Sequence, residues 1–74
     1  MQLLAQSPWD YDLYQEGDRI LLTVVCGTVG IFEITVELTP AERALWEANG
    51  ADGLSSLVQA IRDNPAAFQA RAVL

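Results

Sequence analysis

RILLTVVCGTVGIFEITVEL, residues 19–38, is the stretch on which the reading of this chain turns. In its second half Phe32, Ile34, Val36 and Leu38 alternate with Ile31, Glu33, Thr35 and Glu37. That period of two puts an apolar row on one side of a strand and a mostly polar row on the other. The whole stretch reads as a β-hairpin around Gly27-Thr28-Val29-Gly30. A three-residue loop Thr28-Val29-Gly30 places Gly30 at the left-handed position of a type I turn with a G1 bulge, where glycine is wanted. Cys26 then faces Phe32, Val24 faces Ile34, Leu22 faces Val36 and Ile20 faces Leu38. The other side pairs Val25 with Glu33, Thr23 with Thr35 and Leu21 with Glu37. A two-residue Gly27-Thr28 turn competes. It would leave Ile20, Leu22 and Val24 on the face of Glu33 and Thr35. A slip of one residue exchanges the buried and exposed sets, so the first register is favoured.

Working outward, Trp9, Tyr11 and Leu13 alternate with Asp10, Asp12 and Tyr14, which reads as a preceding strand. Residues 15–18, Gln-Glu-Gly-Asp, form the turn between the two. The expected sheet is a three-stranded antiparallel meander over residues 9–15, 19–26 and 31–38. Residues 1–7 carry Leu3 and Leu4 before Pro8, and read equally as an edge strand or an attached arm.

After the hairpin, Thr39-Pro40-Ala41-Glu42 announces a helix. Thr39 caps it, Pro40 takes the first helical position, and Glu42 completes a capping box. Asn49-Gly50 is the stop. Ala41, Leu45 and Ala48 form its inward stripe, with Trp46 off the centre. Asp52 is the expected cap of a second helix. Its Leu54, Leu57, Val58 and Ile61 follow helical spacing, with Gln59, Arg62 and Asp63 pointing away. Asn64-Pro65 ends that helix and opens a shorter one to about Ala72, with Phe68 closing one end of the core.

The predicted fold is therefore α+β: one small domain over residues 1–74, a three-stranded antiparallel β-meander followed by two to three short helices on one sheet face. The expected core is Ile20, Leu22, Val24, Cys26, Phe32, Ile34, Val36, Leu38, Leu45, Leu54, Leu57, Val58 and Ile61.

Composition bounds the function. The chain has 74 residues, enough for one domain that buries about 60% of its unfolded surface. Its net charge of −6 comes from ten acidic residues against four arginines, with no lysine and no histidine. Nucleic acid and anionic membranes call for cationic side chains, so neither is an expected partner. A basic protein surface is the natural complement. The single cysteine excludes an internal disulfide, and its apolar face makes it a buried hydrophobe. The N-terminus lacks the charged and apolar regions of a signal peptide, and no apolar run reaches a membrane span, so the cytoplasm is the expected location.

Chemistry-bearing patterns are weak. Without histidine and with one cysteine the usual zinc sites are excluded. Asp10, Asp12, Glu16 and Asp18 lack the EF-hand's glycine and terminal glutamate. Ser55 and Ser56 have no base, and Tyr11 and Tyr14 have no evident partner. Glu33 and Glu37 share a strand face, but an open one rather than a cleft. Gly27 and Gly30 lack the lysine and helix of a phosphate loop. No cofactor, metal or catalytic residue is expected.

Two surfaces remain as partner-binding candidates. One is the outer sheet face, where Leu21, Val25 and Ile31 stand among Glu33 and Glu37. The other is the aromatic-acidic segment with Trp9, Asp10, Tyr11, Asp12 and Glu16. The expected function is a non-enzymatic acidic protein that binds and masks a basic partner surface, as a small inhibitor or toxin-immunity protein does. The alternative is a structural homo-oligomer, in its simplest form a homodimer, joined through the outer sheet face.

Overall fold

A computed structural model describes residues 2–27 and 30–73. Four strands form one antiparallel sheet in the order β1 (Gln2–Ser7), β2 (Tyr11–Glu16), β3 (Arg19–Cys26) and β4 (Phe32–Glu37). The class is α+β as expected, with one strand more than the meander. The extra strand is the N-terminal segment, which pairs with β2 around a bulge between Leu3 and Ala5.

The central register follows the sequence pattern. Leu22 pairs with Val36, Val24 with Ile34, Cys26 with Phe32, Thr23 with Thr35, and Val25 with Glu33. The Leu38 N–H donates to the Ile20 carbonyl at 2.9 Å, closing the hairpin's open end. Thr28 and Val29 lie outside the described residues, so the turn type drawn from them does too. The left-handed glycine recorded in this loop is Gly27, at φ +99°. A Cβ there would run into the Gly30 carbonyl oxygen, so the loop requires glycine at that position.

Helix α1 (Pro40–Asn49) begins as the sequence announces. The Thr39 hydroxyl accepts from the Glu42 N–H at 3.2 Å, and the Glu42 carboxylate accepts from the Thr39 N–H at 2.9 Å. Its inward face differs from the expected stripe. Ala41, Ala44, Leu45 and Ala48 are exposed, Leu45 to 52%, and Trp46 is the residue that packs on the core. The helix leans on the following 3-10 turn (Gly50–Leu54) instead of lying flat on the sheet. Gly53 makes that approach, because a Cβ there would strike the Leu45 carbonyl. In this arrangement Leu45 faces outward and Trp46 inward.

Asp52 therefore sits inside the 3-10 turn and caps nothing. Helix α2 (Ser55–Asp63) starts with no side-chain cap bond. Leu54, Val58 and Ile61 are buried and Leu57 packs beside them, as their spacing requires. After Asn64, a single helical turn α3 (Pro65–Phe68) and a 3-10 turn (Gln69–Arg71) replace the longer third helix. The chain then lies along β4: Ala72 bridges to Val36, and the Val73 N–H donates to the Thr35 carbonyl at 2.9 Å.

The core joins Leu13, Ile20, Leu22, Val24, Cys26, Ile34, Val36 and Leu38 of the sheet region to Leu54, Val58 and Ile61. Two expected members are corrected: Leu45, and Phe32, which stays 41% exposed at the end of the sheet. One member was missed. Leu13 is fully buried because it pairs with Leu22 on the core face. Phe68 packs at the margin of this cluster.

Candidate interaction surface

The N-terminal segment turns into β2 through Pro8, Trp9 and Asp10, with the Asp10 N–H donating to the Ser7 carbonyl at 2.9 Å. Trp9 is thus a turn residue and not the first residue of a strand. Its backbone is left-handed, at φ +63°, and its side chain is 82% exposed. For a bulky side chain that conformation costs about 1–2 kcal/mol. The surrounding bonds hold it in place.

Arg62 supplies two of them, both to Asp10. The sequence placed it on the outward side of α2, but its guanidinium folds back over the sheet. Nε donates to the Val25 carbonyl at 3.3 Å, and Nη2 donates to the Asp10 carbonyl at 3.2 Å and to the Asp10 carboxylate. The Val25 N–H also donates to the Asp10 carbonyl, at 2.9 Å. One arginine so ties α2, the end of β3 and the Trp9 turn together. Between that turn and the start of α2 lies an open cavity of about 360 Å³, lined by Ser7, Asp10, Tyr11, Asp52, Ser55 and Arg62 among others.

The outer sheet face is less open than its sequence suggested. Leu21, expected at the centre of an apolar patch, is 1% exposed. It pairs with Tyr14 on one side and Glu37 on the other. Thr23 and Thr35 are buried there too, their hydroxyls 2.7 Å apart in a shared hydrogen bond. Val25 is half-buried. Only Ile31, near the hairpin loop, is broadly exposed among the three apolar candidates.

The acidic candidates divide into two groups. Asp10 is paired with Arg62, while Glu16 and Glu37 flank Arg19 at 2.7 Å and 3.9 Å. Those charges are occupied internally. Asp12 and Glu33 form no ion pair among the described residues and remain on the outer face. Asp12 accepts a 3.3 Å hydrogen bond from the Tyr14 hydroxyl. Burial, and then the Asp12 carboxylate, hold the Tyr14 phenol above its ordinary pKa; the Glu33 charge adds to this. Tyr11 faces the core instead and packs against it.

The register therefore puts Trp9, Ile31 and part-exposed Phe32 at one end of the sheet, with Val25, Asp12 and Glu33 on the outer face near that end and Phe32 on the core side opposite Cys26. It leaves Glu16 and Glu37 at the other end of their strands. Exposed Phe32 was missed at this surface because its place in the alternation assigned it to the core.

Cys26 is buried, and burial pushes its thiol up despite the opposing pull of Arg62. No group of three or more metal-binding side chains occurs among the described residues, and no helix among them is long and apolar enough to cross a membrane. The chain matches no protein-family model, no curated protein and no solved structure.

Proposed function

We propose that this chain is a non-catalytic interaction domain that binds and masks a basic surface on a partner protein, in the manner of a small inhibitor or immunity protein. The observation that carries the reading is Trp9: an indole 82% exposed on left-handed backbone, next to Asp10, which Arg62 holds through its carbonyl and carboxylate. Strained backbone held by its surroundings concentrates at functional positions. Tryptophan is the side chain most enriched where binding energy concentrates. Ile31 and Phe32 widen the apolar area, and Asp12 and Glu33 supply free negative charge at its side. Lysines or arginines on the partner would meet those two carboxylates.

The test is capture of proteins from the native lysate on immobilised chain at low and high salt, followed by titration of the purified captured protein. A captured partner with a basic contact surface, released by salt and bound at least tenfold more weakly by Trp9→Ala and by Asp12→Lys/Glu33→Lys, supports the reading. Binding indifferent to salt and to both variants removes it.

A further inference from the structure

The geometry points to a second copy of this chain as the natural occupant of the open edge of β1, in an antiparallel pair that makes one continuous eight-stranded sheet. Strand β1 is an outer strand of the sheet, and its free edge meets no other strand among the described residues. The opposite edge, on β4, is partly covered by Ala72 and Val73.

Open edges are ordinarily guarded by charge, because unpaired N–H and C=O groups recruit other strands. β1 reads Gln-Leu-Leu-Ala-Gln-Ser and carries no charge, in a chain whose net charge is −6. Two acidic molecules repel least where neither bears a charge. The acidic residues of the neighbouring strand, Asp12 opposite Gln6 and Glu16 at its far end, lie one strand further in. Across a β1–β1 junction the acidic residues of the two β2 strands stand at least three strand spacings apart, about 14 Å. That exceeds the ~8–10 Å screening length at physiological salt.

The bulge specifies the partner. Leu3 and Gln6 lie on the outer face, opposite Tyr14 and Asp12. Gln2 and Ser7 lie on the core side, and Leu4 and Ala5 both pack against the core. From Gln2 to Ser7 the order is core, outer, core, core, outer, core. This order is the same read in either direction. A second β1 running antiparallel, with Leu3 opposite Gln6, therefore sets every residue against one pointing the same way. A regular strand alternates strictly and falls out of step at Leu4 or Ala5. Leu3, 48% exposed, gains cover in the pair. Ser7 of each copy pairs with Gln2 of the other, so the two Trp9 turns lie at opposite ends of the junction.

Sedimentation equilibrium and light scattering test this through a charge swap on two exposed positions. The wild-type chain should weigh twice the monomer mass. Leu3→Lys/Gln6→Lys sets lysine against lysine twice and should weaken the dimer about tenfold or more. Leu3→Lys/Gln6→Glu sets lysine against glutamate and should restore it, with far-ultraviolet circular dichroism unchanged in both variants. A wild-type monomer, a dimer insensitive to the double lysine, or a dimer that both variants break equally would each overturn the pairing.

Discussion

The guanidinium of Arg62 on α2 grips the carboxylate and the carbonyl of Asp10, fifty-two positions earlier in the chain, and so fixes the turn that displays Trp9. Neither residue is buried enough for the charge attraction alone to weigh heavily; a part-exposed ion pair contributes about 0.2–1 kcal/mol. Two further bonds to main-chain carbonyls enlarge the loss when the side chain is removed. Arg62→Ala should lower stability by about 1–2 kcal/mol. The same variant should weaken partner binding by a larger factor than its stability loss explains, because the Trp9 turn is released. Urea titration checks the first statement. An unchanged midpoint would show that the turn is held by other contacts.

The Thr23–Thr35 pair offers a sharper test. Each hydroxyl is buried and the two satisfy one another. Thr23→Val alone strands the Thr35 hydroxyl and should cost about 1–3 kcal/mol, as should Thr35→Val alone. The double valine variant removes both polar groups and should recover most of that loss. A double-mutant cycle by chemical denaturation measures the coupling; strict additivity would deny the pairing.

Acid should loosen the attachment of α1. Burial by itself would raise the Glu42 carboxyl, but the Arg71 guanidinium and the Thr39 N–H outweigh it and hold its pKa below the ordinary 4.5. A lowered carboxyl stabilises the fold above its unfolded pKa and loses that contribution as pH falls through the lowered value. Wild-type stability should therefore decline below about pH 4.5, and the Glu42→Gln variant should decline less over the same interval. Equal slopes for the two proteins would remove Glu42 from the acid response.

Core substitutions should separate Leu13 from Leu45. Leu13→Ala empties a fully buried site and should cost about 2–5 kcal/mol. Ile34→Ala should fall in the same range and threaten cooperative unfolding. Leu45→Ala, on the exposed side of α1, should change stability by no more than about 0.5 kcal/mol. Thermal melts rank the three, and a costly Leu45→Ala would contradict its outward place on α1.

The sequence by itself determined what is encoded within a few neighbouring residues. Alternation in residues 19–38 set the hairpin register, since a one-residue slip would have inverted its faces. Thr39, Pro40 and Glu42 set the start of α1 because the capping bonds close over three positions. Leu54, Val58 and Ile61 set the buried side of α2 by spacing alone. The tertiary structure decided what depends on an element's neighbours. Residues 2–7 became a strand because β2 offered an edge; their own pattern is broken by the bulge. Trp46 replaced Leu45 on the core because Gly53 lets the next turn pack against α1. Leu21, placed on the outer face by its alternation, is buried between the strands that flank β3. Arg62 joined the Trp9 turn across 52 residues, a contact that no local period encodes, because it requires the sheet and α2 to be packed before the two groups meet.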